Sequence, residues 1–350
     1  MTDMKKKNLL YVGMASLLVG GIATSCESGT NEFENFDYST VYFANQFAER
    51  TLVLGEDEFT DNAIDNEHKV SIKAAWGGGY NNPTNVTIDF EVDESLCDNL
   101  YFIDENRPVV PMPAEYYTLA SNQIHIPEGQ IGGGVEVQLT DAFFADEHAI
   151  ENYYAIPLRM LHVEGADSIL QGTAGVENPV LTNSNHWTTQ PKNYVIYAIK
   201  YVNEWHGEYL RRGIDQMTAN GATTSNIRHE QYIEDDEVVY LTTNSLSRST
   251  LALTTQDTNG KNVSYNIALA FGEDGNCTLS SITDGITVSG TGKFIKDGEK
   301  NSLGGKDRDA LYLDYQVDFH NLGMQYATKD TLVLRTRGVQ GGKAFNAEVR

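Results

Sequence analysis

The feature that most constrains the fold is an alternation of apolar and polar residues that recurs from residue 41 onward. In residues 86–93, four apolar side chains alternate with four polar ones, and residues 135–139 repeat the pattern. A period of two sends successive side chains to opposite faces of a β-strand. Residues 143–152 are the one segment that favours a short helix. The chain is therefore predicted to be all-β.

Turn signals divide the chain into two predicted domains, which its 350 residues are long enough to form. Across residues 41–199, short strands alternate with Gly-, Asn- and Pro-rich segments, and this spacing favours a β-sandwich. The apolar run at 193–202 is predicted to be a strand at the junction. Residues 200–350 are predicted to form a second, antiparallel β domain.

The second domain reads as a meander of about seven strands joined by tight turns. The predicted turn dipeptides are Asn259-Gly260, Asp274-Gly275, Asp284-Gly285 and Asp297-Gly298. Asn-Gly and Asp-Gly favour two-residue hairpins, because both central positions need a positive φ. Such a meander either closes into a lipocalin-like barrel or folds over into a jelly-roll-like sandwich, and the sequence leaves both open.

The first 26 residues contain the segments of a secretion signal in their usual order. Three lysines at 5–7 precede an apolar run at 9–22, which is shorter than the ~20 residues that a membrane-spanning helix needs. Ala-Thr-Ser-Cys at 23–26 then resembles a bacterial lipobox, in which the signal is removed before the cysteine and the cysteine is acylated. We therefore predict a signal peptide at 1–25 and lipidation at Cys26; an ordinary signal with a chance cysteine is the alternative.

Residues 26–40 are polar and acidic and are predicted to be a flexible tether. The expected location is the outer membrane, lipid-anchored and facing the cell exterior. With 49 Asp and Glu against 25 Lys and Arg, the formal charge of −24 disfavours nucleic acid and anionic membrane surfaces, so membrane contact is expected through the lipid only. Cys97 and Cys277, the other two cysteines, are predicted to be unpaired.

Catalytic motifs are missing from the sequence. There is no phosphate-binding glycine motif, no nucleophile elbow and no histidine pair with zinc-ligand spacing. Asp89, Glu91 and Asp93 have a spacing compatible with glycosidase carboxylates, but a solvated acidic strand explains them better. The chain is predicted not to be an enzyme and to carry no organic cofactor.

Calcium is the one cofactor for which the sequence offers candidates. The segment 56–67 contains several side chains with the oxygen ligands that calcium prefers. Asp57, Asp61 and Asp65 are its candidate ligands. The segment does not follow the order of an EF-hand loop.

Aromatic residues in polar loops are the candidates for ligand binding. Trp76, Tyr80 and Asn81 surround three consecutive glycines, and Trp187 lies in another polar loop. Aromatic faces with neighbouring amides are suited to bind sugars. The alternative is that these tryptophans pack against the rim of their own sandwich. Trp205 opens the second domain and is interpreted as structural.

Several segments in a fixed order resemble Bacteroidetes surface lipoproteins with two domains of nominally unknown function. They are the lipobox, Val41 to Asn45, Tyr116 to Thr118, Gln123 to Gly129, Tyr154 to Leu158, Asp167 to Leu170, Tyr194 to Asn203, Trp205 to Gly213 and Lys306 to Tyr315. The resemblance implies an Ig-like sandwich followed by a β-rich domain. It also implies a role in a Sus-like glycan-utilisation locus, beside SusC/SusD-like importers.

The predicted function is thus a non-catalytic surface lipoprotein that binds polysaccharide or oligosaccharide, with importer-complex proteins as further candidate partners. A structural or adhesive protein that binds another protein is the first alternative. A glycoside hydrolase is the second and least favoured alternative, since it needs two carboxylates in one cleft.

Overall fold

The computed structural model describes residues 36–350, whose regular secondary structure is mostly β-strand. This confirms the predicted all-β fold class. The predicted signal peptide and Cys26 lie outside the described residues. Within the described part, no helix combines the length and apolar character needed to cross a membrane.

Fifteen strands and two one-turn helices make up residues 40–202. The strands are β1 Thr40–Tyr42, β2 Phe47–Val53, β3 Lys69–Gly77, β4 Val86–Val92, β5 Leu100–Phe102, β6 Arg107–Pro108, β7 Val110–Pro111, β8 Tyr117–Leu119, β9 Gln123–Ile126, β10 Gly132–Leu139, β11 Tyr154–Glu164, β12 Ser168–Ile169, β13 Thr173–Ala174, β14 Trp187–Thr189 and β15 Tyr194–Val202; the helices are α1 Ala63–Asn66 and α2 Asp141–Ala145. The helix predicted at 143–152 is divided between α2 and a 3-10 turn at Glu147–Ile150.

These strands form two groups that share one core. One group runs β12-β1-β3-β10 and the other β9-β4-β11-β15-β2, and a single residue pair, Gly134 with His125, joins them. Ile72 of the first group and Ile88, Ile124 and Leu158 of the second are fully buried in the common core. The alternation read from the sequence places these side chains inward, so the region is a β-sandwich.

The second region contains nine further strands. They are β16 Gly207–Ala219, β17 Ala222–Arg228, β18 Glu237–Ser245, β19 Arg248–Gln256, β20 Asn262–Phe271, β21 Asn276–Ser281, β22 Ile286–Glu299, β23 Arg308–Phe319 and β24 Met324–Thr336. Strand β24 pairs with β16 from Glu208–Thr336 to Ala219–Met324 and closes an antiparallel barrel of eight strands. The barrel, rather than the jelly-roll-like sandwich, is therefore the architecture; β17 adds a hairpin arm to β16.

Two sequence-based details of the barrel were wrong. The dipeptide Asp297-Gly298 is not a hairpin turn: it lies inside β22, where the positive φ of Asp297 accompanies a shift of register against β23. Strands β16 and β17 were not predicted, because charged residues interrupt the apolar pattern of β16 and because β17 is mostly polar and exposed. The other three dipeptides do join consecutive strands, and each glycine has a positive φ near +75°.

Apolar side chains fill most of the barrel. Trp205 stacks on Phe271 with ring centroids 3.9 Å apart, which confirms its structural role. Gly292 faces inward, where a Cβ atom would collide with Leu313 and Cys277. Cys97 and Cys277 are both buried and unpaired, as predicted. Cross-strand packing of this kind leaves no room for a larger residue at position 292.

The end of the chain returns from the barrel to the sandwich. Residues Gly342–Ala344 form β25, which pairs with β2, and Ala347–Val349 form β26, which pairs with β5. Phe345 between them is buried against Phe102. The last residues of the segment predicted as the second domain thus extend two sheets of the first region.

One arginine and an acidic loop hold the two regions together. Buried Arg337, just after β24, donates hydrogen bonds to the carbonyl oxygens of Asn203, His206 and Glu56. The side chain of Glu56 pairs with Lys296, and that of Glu58 pairs with Lys306 and Arg308. Charge complementarity therefore joins the sandwich loop to the β22–β23 end of the barrel.

His206 makes this junction sensitive to acid. Its Nδ1 accepts a hydrogen bond from the Thr243 backbone N–H at 3.3 Å, so the ring is neutral. Burial, and then the charge of Arg337, lowers the pKa of His206 to about 4. An unfolded histidine titrates near 6.5, so protons bind the unfolded chain preferentially as the pH falls from about 6.5 to 4. The neutral His206 therefore contributes its full stabilisation above about pH 6.5, and this contribution is lost as the pH falls to about 4.

We expect the His206→Asn variant to lose less stability on acidification than the parent. The difference should approach about 3 kcal/mol between pH 7.5 and pH 4, measured as the free energy of unfolding in urea. The control is His320→Asn, which changes an exposed histidine on the barrel surface. An equal acid response of parent and His206→Asn would show that His206 does not set this sensitivity.

Candidate functional site

The inner face of the barrel is polar where β16 meets β24. The inward positions of β16 include Arg211 and Asp215, and those of β24 include Thr328 and Asp330. All four residues are buried. Buried charges are costly unless they are paired, and their concentration in one place marks a candidate functional site.

Asp330 is the centre of a buried hydrogen-bond network. Its side chain is fully buried and accepts hydrogen bonds from Arg211 Nε at 2.9 Å and from the Tyr315 hydroxyl at 2.8 Å. Arg211 also donates to the Tyr315 oxygen at 3.2 Å and to the Glu237 carboxylate at 3.0 Å. Each nitrogen of the Arg211 guanidinium therefore has an acceptor.

Arg228 connects the β17 arm to the same network. Its Nε and Nη2 donate to the two carboxylate oxygens of Asp215, and Nη2 also reaches Asp330. Thr328 donates to Asp215 at 2.9 Å. Burial acts to raise the pKa of Asp215, but the hydrogen bonds and charge of Arg228 outweigh it and lower that pKa. Arg228 Nη1 is buried with no hydrogen-bond partner.

A slot opens in the barrel wall beside this network. The β18–β19 ladder reaches only to the pair Leu241–Leu251, whereas the β19–β20 ladder continues to Gln256–Asn262. The edge of β19 beyond Leu251 therefore separates from β18, and the β17 arm stands on the other side of the gap. We call this opening the barrel slot; it lies toward the end of β16 that is remote from the sandwich.

The barrel slot has a volume of about 370 Å³, within the size range of small-ligand pockets. Its lining residues are Arg211, Asp215, Met217, Thr224, Asn226, Arg228, Glu237, Thr254, Thr255, Gln256, Tyr265, Tyr326 and Thr328. Hydroxyls and amides line its mouth, and the charged network forms its floor.

Two tyrosines give the slot an aromatic component. The rings of Tyr265 and Tyr326 both pack edge-on against Phe319, with centroids 5.3 and 5.9 Å away. Burial raises the pKa of Tyr265 to about 12, so its hydroxyl stays protonated and can donate a hydrogen bond. Tyr326 donates across the end of the barrel to the Gln256 carbonyl oxygen at 3.1 Å.

A wider groove of about 900 Å³ crosses the outer face of β20 to β24. Its charged side chains include Asp314 and Lys329, which are exposed and pair with each other at 3.2 Å. Exposed pairs of this kind contribute little and need no ligand to explain them. The groove also borders the buried Asp330, but the slot brings Arg211, Asp215 and Arg228 of the network together in its lining and is therefore the stronger candidate site.

The residues predicted for ligand binding lie in the sandwich region, away from the slot. Trp76 is only 6% exposed because it is an inward position of β3, and its ring belongs to the sandwich core. It therefore offers no face to solvent and packs within its own sandwich. Tyr80 and Asn81 are exposed in the following turn. Trp187 is half-buried at the start of β14, and its Nε1 donates to the Val180 carbonyl oxygen.

The three calcium candidates have other partners. Asp65 is buried, pairs with Arg50 and accepts a hydrogen bond from the Val53 N–H, and burial raises its pKa. Asp57 and Asp61 accept hydrogen bonds from the backbone N–H groups of Phe59 and Ala63. Across residues 36–350, no three His, Cys, Asp or Glu side chains are grouped so that they could hold a metal ion.

The sequence contained a signal for the slot that was missed. In β24, Asp330 lies on the same face of the strand as the buried Leu332. In β16, Arg211 lies on the same face as the buried Tyr209. A charged residue on the apolar face of an alternating strand is out of place unless it has a buried partner. Arg228 gave no such signal, because the rest of β17 is exposed.

Comparison with known proteins gives two family models and several solved structures. A domain of unknown function, DUF5627, matches residues 204–338, and a model described as an N-terminal domain matches residues 34–167. A Bacteroides ovatus protein of unknown function from structural genomics is 61% identical, with a TM-score of 0.87 over 90% of this chain and 100% of its own. No curated protein matches the chain.

Two further structures are only remotely similar. A multidomain Bacteroides ovatus protein that includes DUF1735 is 11% identical, with a TM-score of 0.38 over 85% of this chain and 94% of its own. An auxiliary nutrient binding protein from Bacteroides thetaiotaomicron is 15% identical, with a TM-score of 0.33 over 82% of this chain and 89% of its own.

Proposed function

The chain belongs to the same family as the Bacteroides ovatus protein of unknown function, and we propose that it is a non-catalytic surface lipoprotein that binds glycan. In this proposal Cys26 carries the lipid, the outer membrane holds the protein facing the exterior, and the bound glycan serves a polysaccharide-utilisation system with an importer. The signal and lipobox pattern of residues 1–26 supports the location.

The observation that carries the binding function is the composition of the barrel slot. Thr224, Asn226 and Gln256 bring hydroxyl and amide groups to its mouth, Tyr326 brings a partly exposed aromatic ring, and the buried Tyr265 lies in its wall. Sugars present hydroxyls, which need donors and acceptors, and CH faces, which pack on rings. A pocket of about 370 Å³ with this lining suits one or two sugar units.

The carboxylates of the slot support binding rather than hydrolysis. Glycosidases need a carboxylic acid with a raised pKa beside a second carboxylate. Here Asp215 has a lowered pKa, and both Asp215 and Asp330 are hydrogen-bonded to guanidinium groups. Asp215 therefore does not suit the role of proton donor to a glycosidic oxygen.

The proposal is tested by affinity electrophoresis of the full-length protein, in detergent, through native gels that contain a panel of polysaccharides. We expect retardation by at least one polysaccharide, and titration calorimetry then gives the dissociation constant. Retardation by none of them would contradict the glycan-binding function.

The double variant Asn226→Ala/Tyr326→Phe is expected to weaken binding about tenfold or more, because it removes an amide and a hydroxyl that each contribute roughly 0.5–1.5 kcal/mol. The matched control is Asn266→Ala/Tyr240→Phe, which makes the same changes at exposed positions of β20 and β18. If Tyr80→Ala or Trp187→Ala weakens binding and the slot variant does not, the glycan site lies on the sandwich loops instead.

A further inference from the structure

Two carboxylates, Asp215 and Glu237, and two guanidinium groups, Arg211 and Arg228, line the barrel slot. With Asp330, which lies behind the lining and is bonded to both arginines, the network holds three carboxylates against two guanidinium groups. Four of these five side chains are mostly buried, and the Glu237 side chain is 44% exposed. Among the charged groups, the one that faces an arriving ligand most openly is therefore a carboxylate.

Hydrogen bonds within the network already engage most of the guanidinium nitrogens. All three nitrogens of Arg211 donate to Asp330, Glu237 and Tyr315. Arg228 uses Nε and Nη2 on Asp215 and Asp330, and its remaining Nη1 is buried. An arginine binds a carboxylate or sulfate best through a fork of free donors, which these paired guanidinium groups offer less readily.

From this arrangement we infer that the barrel slot takes an uncharged saccharide and rejects sugars that carry carboxylate or sulfate groups. The inference rests on the proposed glycan-binding function and names its ligand class. Glu237 is the residue that determines the selectivity at short range. The formal charge of −24 on the whole chain adds repulsion at long range, which salt screens.

The test compares two derivatives of any neutral polysaccharide that retards the protein. Hydroxyethylation adds bulk without charge, and carboxymethylation adds similar bulk with a negative charge. At 0.15 M salt, we expect the hydroxyethyl derivative to bind like its parent and the carboxymethyl derivative to bind at least tenfold more weakly. Equal or tighter binding of the carboxymethyl derivative would overturn the inference.

A panel in which only acidic polysaccharides retard the protein would also overturn the inference, while the glycan-binding function would stand. Retardation by no polysaccharide would instead contradict that function, and this inference with it. The two failures are thus distinguishable in one experiment.

The Glu237→Gln variant distinguishes the local effect of a carboxylate in the slot from the repulsion by the net charge of the chain. It should bind the carboxymethyl derivative roughly fivefold more tightly than the parent, as expected for removing one charge several ångströms away in a partly screened site, and should bind the neutral derivative equally. Glu273→Gln is the matched control, since it removes the same charge in the exposed turn between β20 and β21, at the other end of the barrel. Equal gains in both variants would assign the rejection to overall charge and overturn the role of Glu237.

Discussion

Replacing Asp330 with alanine is expected to lower the free energy of unfolding by about 3–5 kcal/mol, the cost of breaking a buried ion pair from one side. The carboxylate of Asp330 is fully buried and accepts hydrogen bonds from Arg211, Arg228 and Tyr315. Its removal leaves two guanidinium groups in the barrel without their shared counter-charge. Equilibrium unfolding in urea, followed by circular dichroism, measures the loss.

The matched control for this prediction is Asp314→Ala. Asp314 lies on the neighbouring strand β23 and pairs with Lys329, but its side chain is 67% exposed. An exposed pair contributes roughly 0–1 kcal/mol, so the control should remain close to the parent. A loss in Asp330→Ala no larger than that of the control would mean that water or rearranged side chains compensate the network.

Asp330→Asn adds an intermediate case. The amide has nearly the same shape and retains one oxygen acceptor, but it lacks the charge. Its stability should lie between those of the parent and Asp330→Ala. Because Arg228 attaches the β17 arm to Asp330, we also expect glycan binding at the barrel slot to decline in the same order.

The second large effect is expected from Arg337→Met. The guanidinium of Arg337 is buried and donates to the carbonyl oxygens of Asn203, His206 and Glu56, which come from both regions of the chain. Methionine retains much of the side-chain volume but leaves these acceptors without donors, at about 1–3 kcal/mol for each buried group. The expected loss in the free energy of unfolding is about 4 kcal/mol.

Arg335→Met is the control for this second prediction. Arg335 precedes Arg337 by two residues, is 51% exposed and makes only a loose ion pair with Glu208 at 3.6 Å. We expect it to change stability by less than about 1 kcal/mol. Limited proteolysis adds a second measurement: Arg337→Met should become sensitive near residue 204, whereas the control should not. Similar stability of the two variants would show that Arg337 does not hold the junction.

Much of the fold was predictable because it depends on local backbone preferences. Alternation in residues 86–92 and 311–319 identified strands β4 and β23 with the correct face inward. The Asn259-Gly260 and Asp274-Gly275 dipeptides marked real hairpins because a positive φ is needed there whatever the distant partners are. Asp297-Gly298 failed because the same positive φ also suits a bulge within a strand.

The candidate site was less predictable because its residues break the local patterns that identify strands. Arg211, Arg212, Gly213 and Asp215 interrupt the alternation of β16, so the strand that closes the barrel was not recognised. The ligand site was predicted in the loops that carry Trp76 and Trp187 instead, yet Trp76 belongs to the core. A tryptophan beside three glycines looks accessible in the sequence, but its exposure depends on which face of β3 it occupies.

Residues close together in the chain therefore decided most strands, most turns, the all-β class and the acidic character, since each follows from local periodicity or from composition. Barrel closure, the slot and the junction arose only in the folded chain. Arg211 and Asp330 are 119 residues apart, Arg228 and Asp330 are 102 apart, and Arg337 and Glu56 are 281 apart. A buried charge is tolerated only when such a distant partner reaches it, and no local pattern specifies which partner that will be.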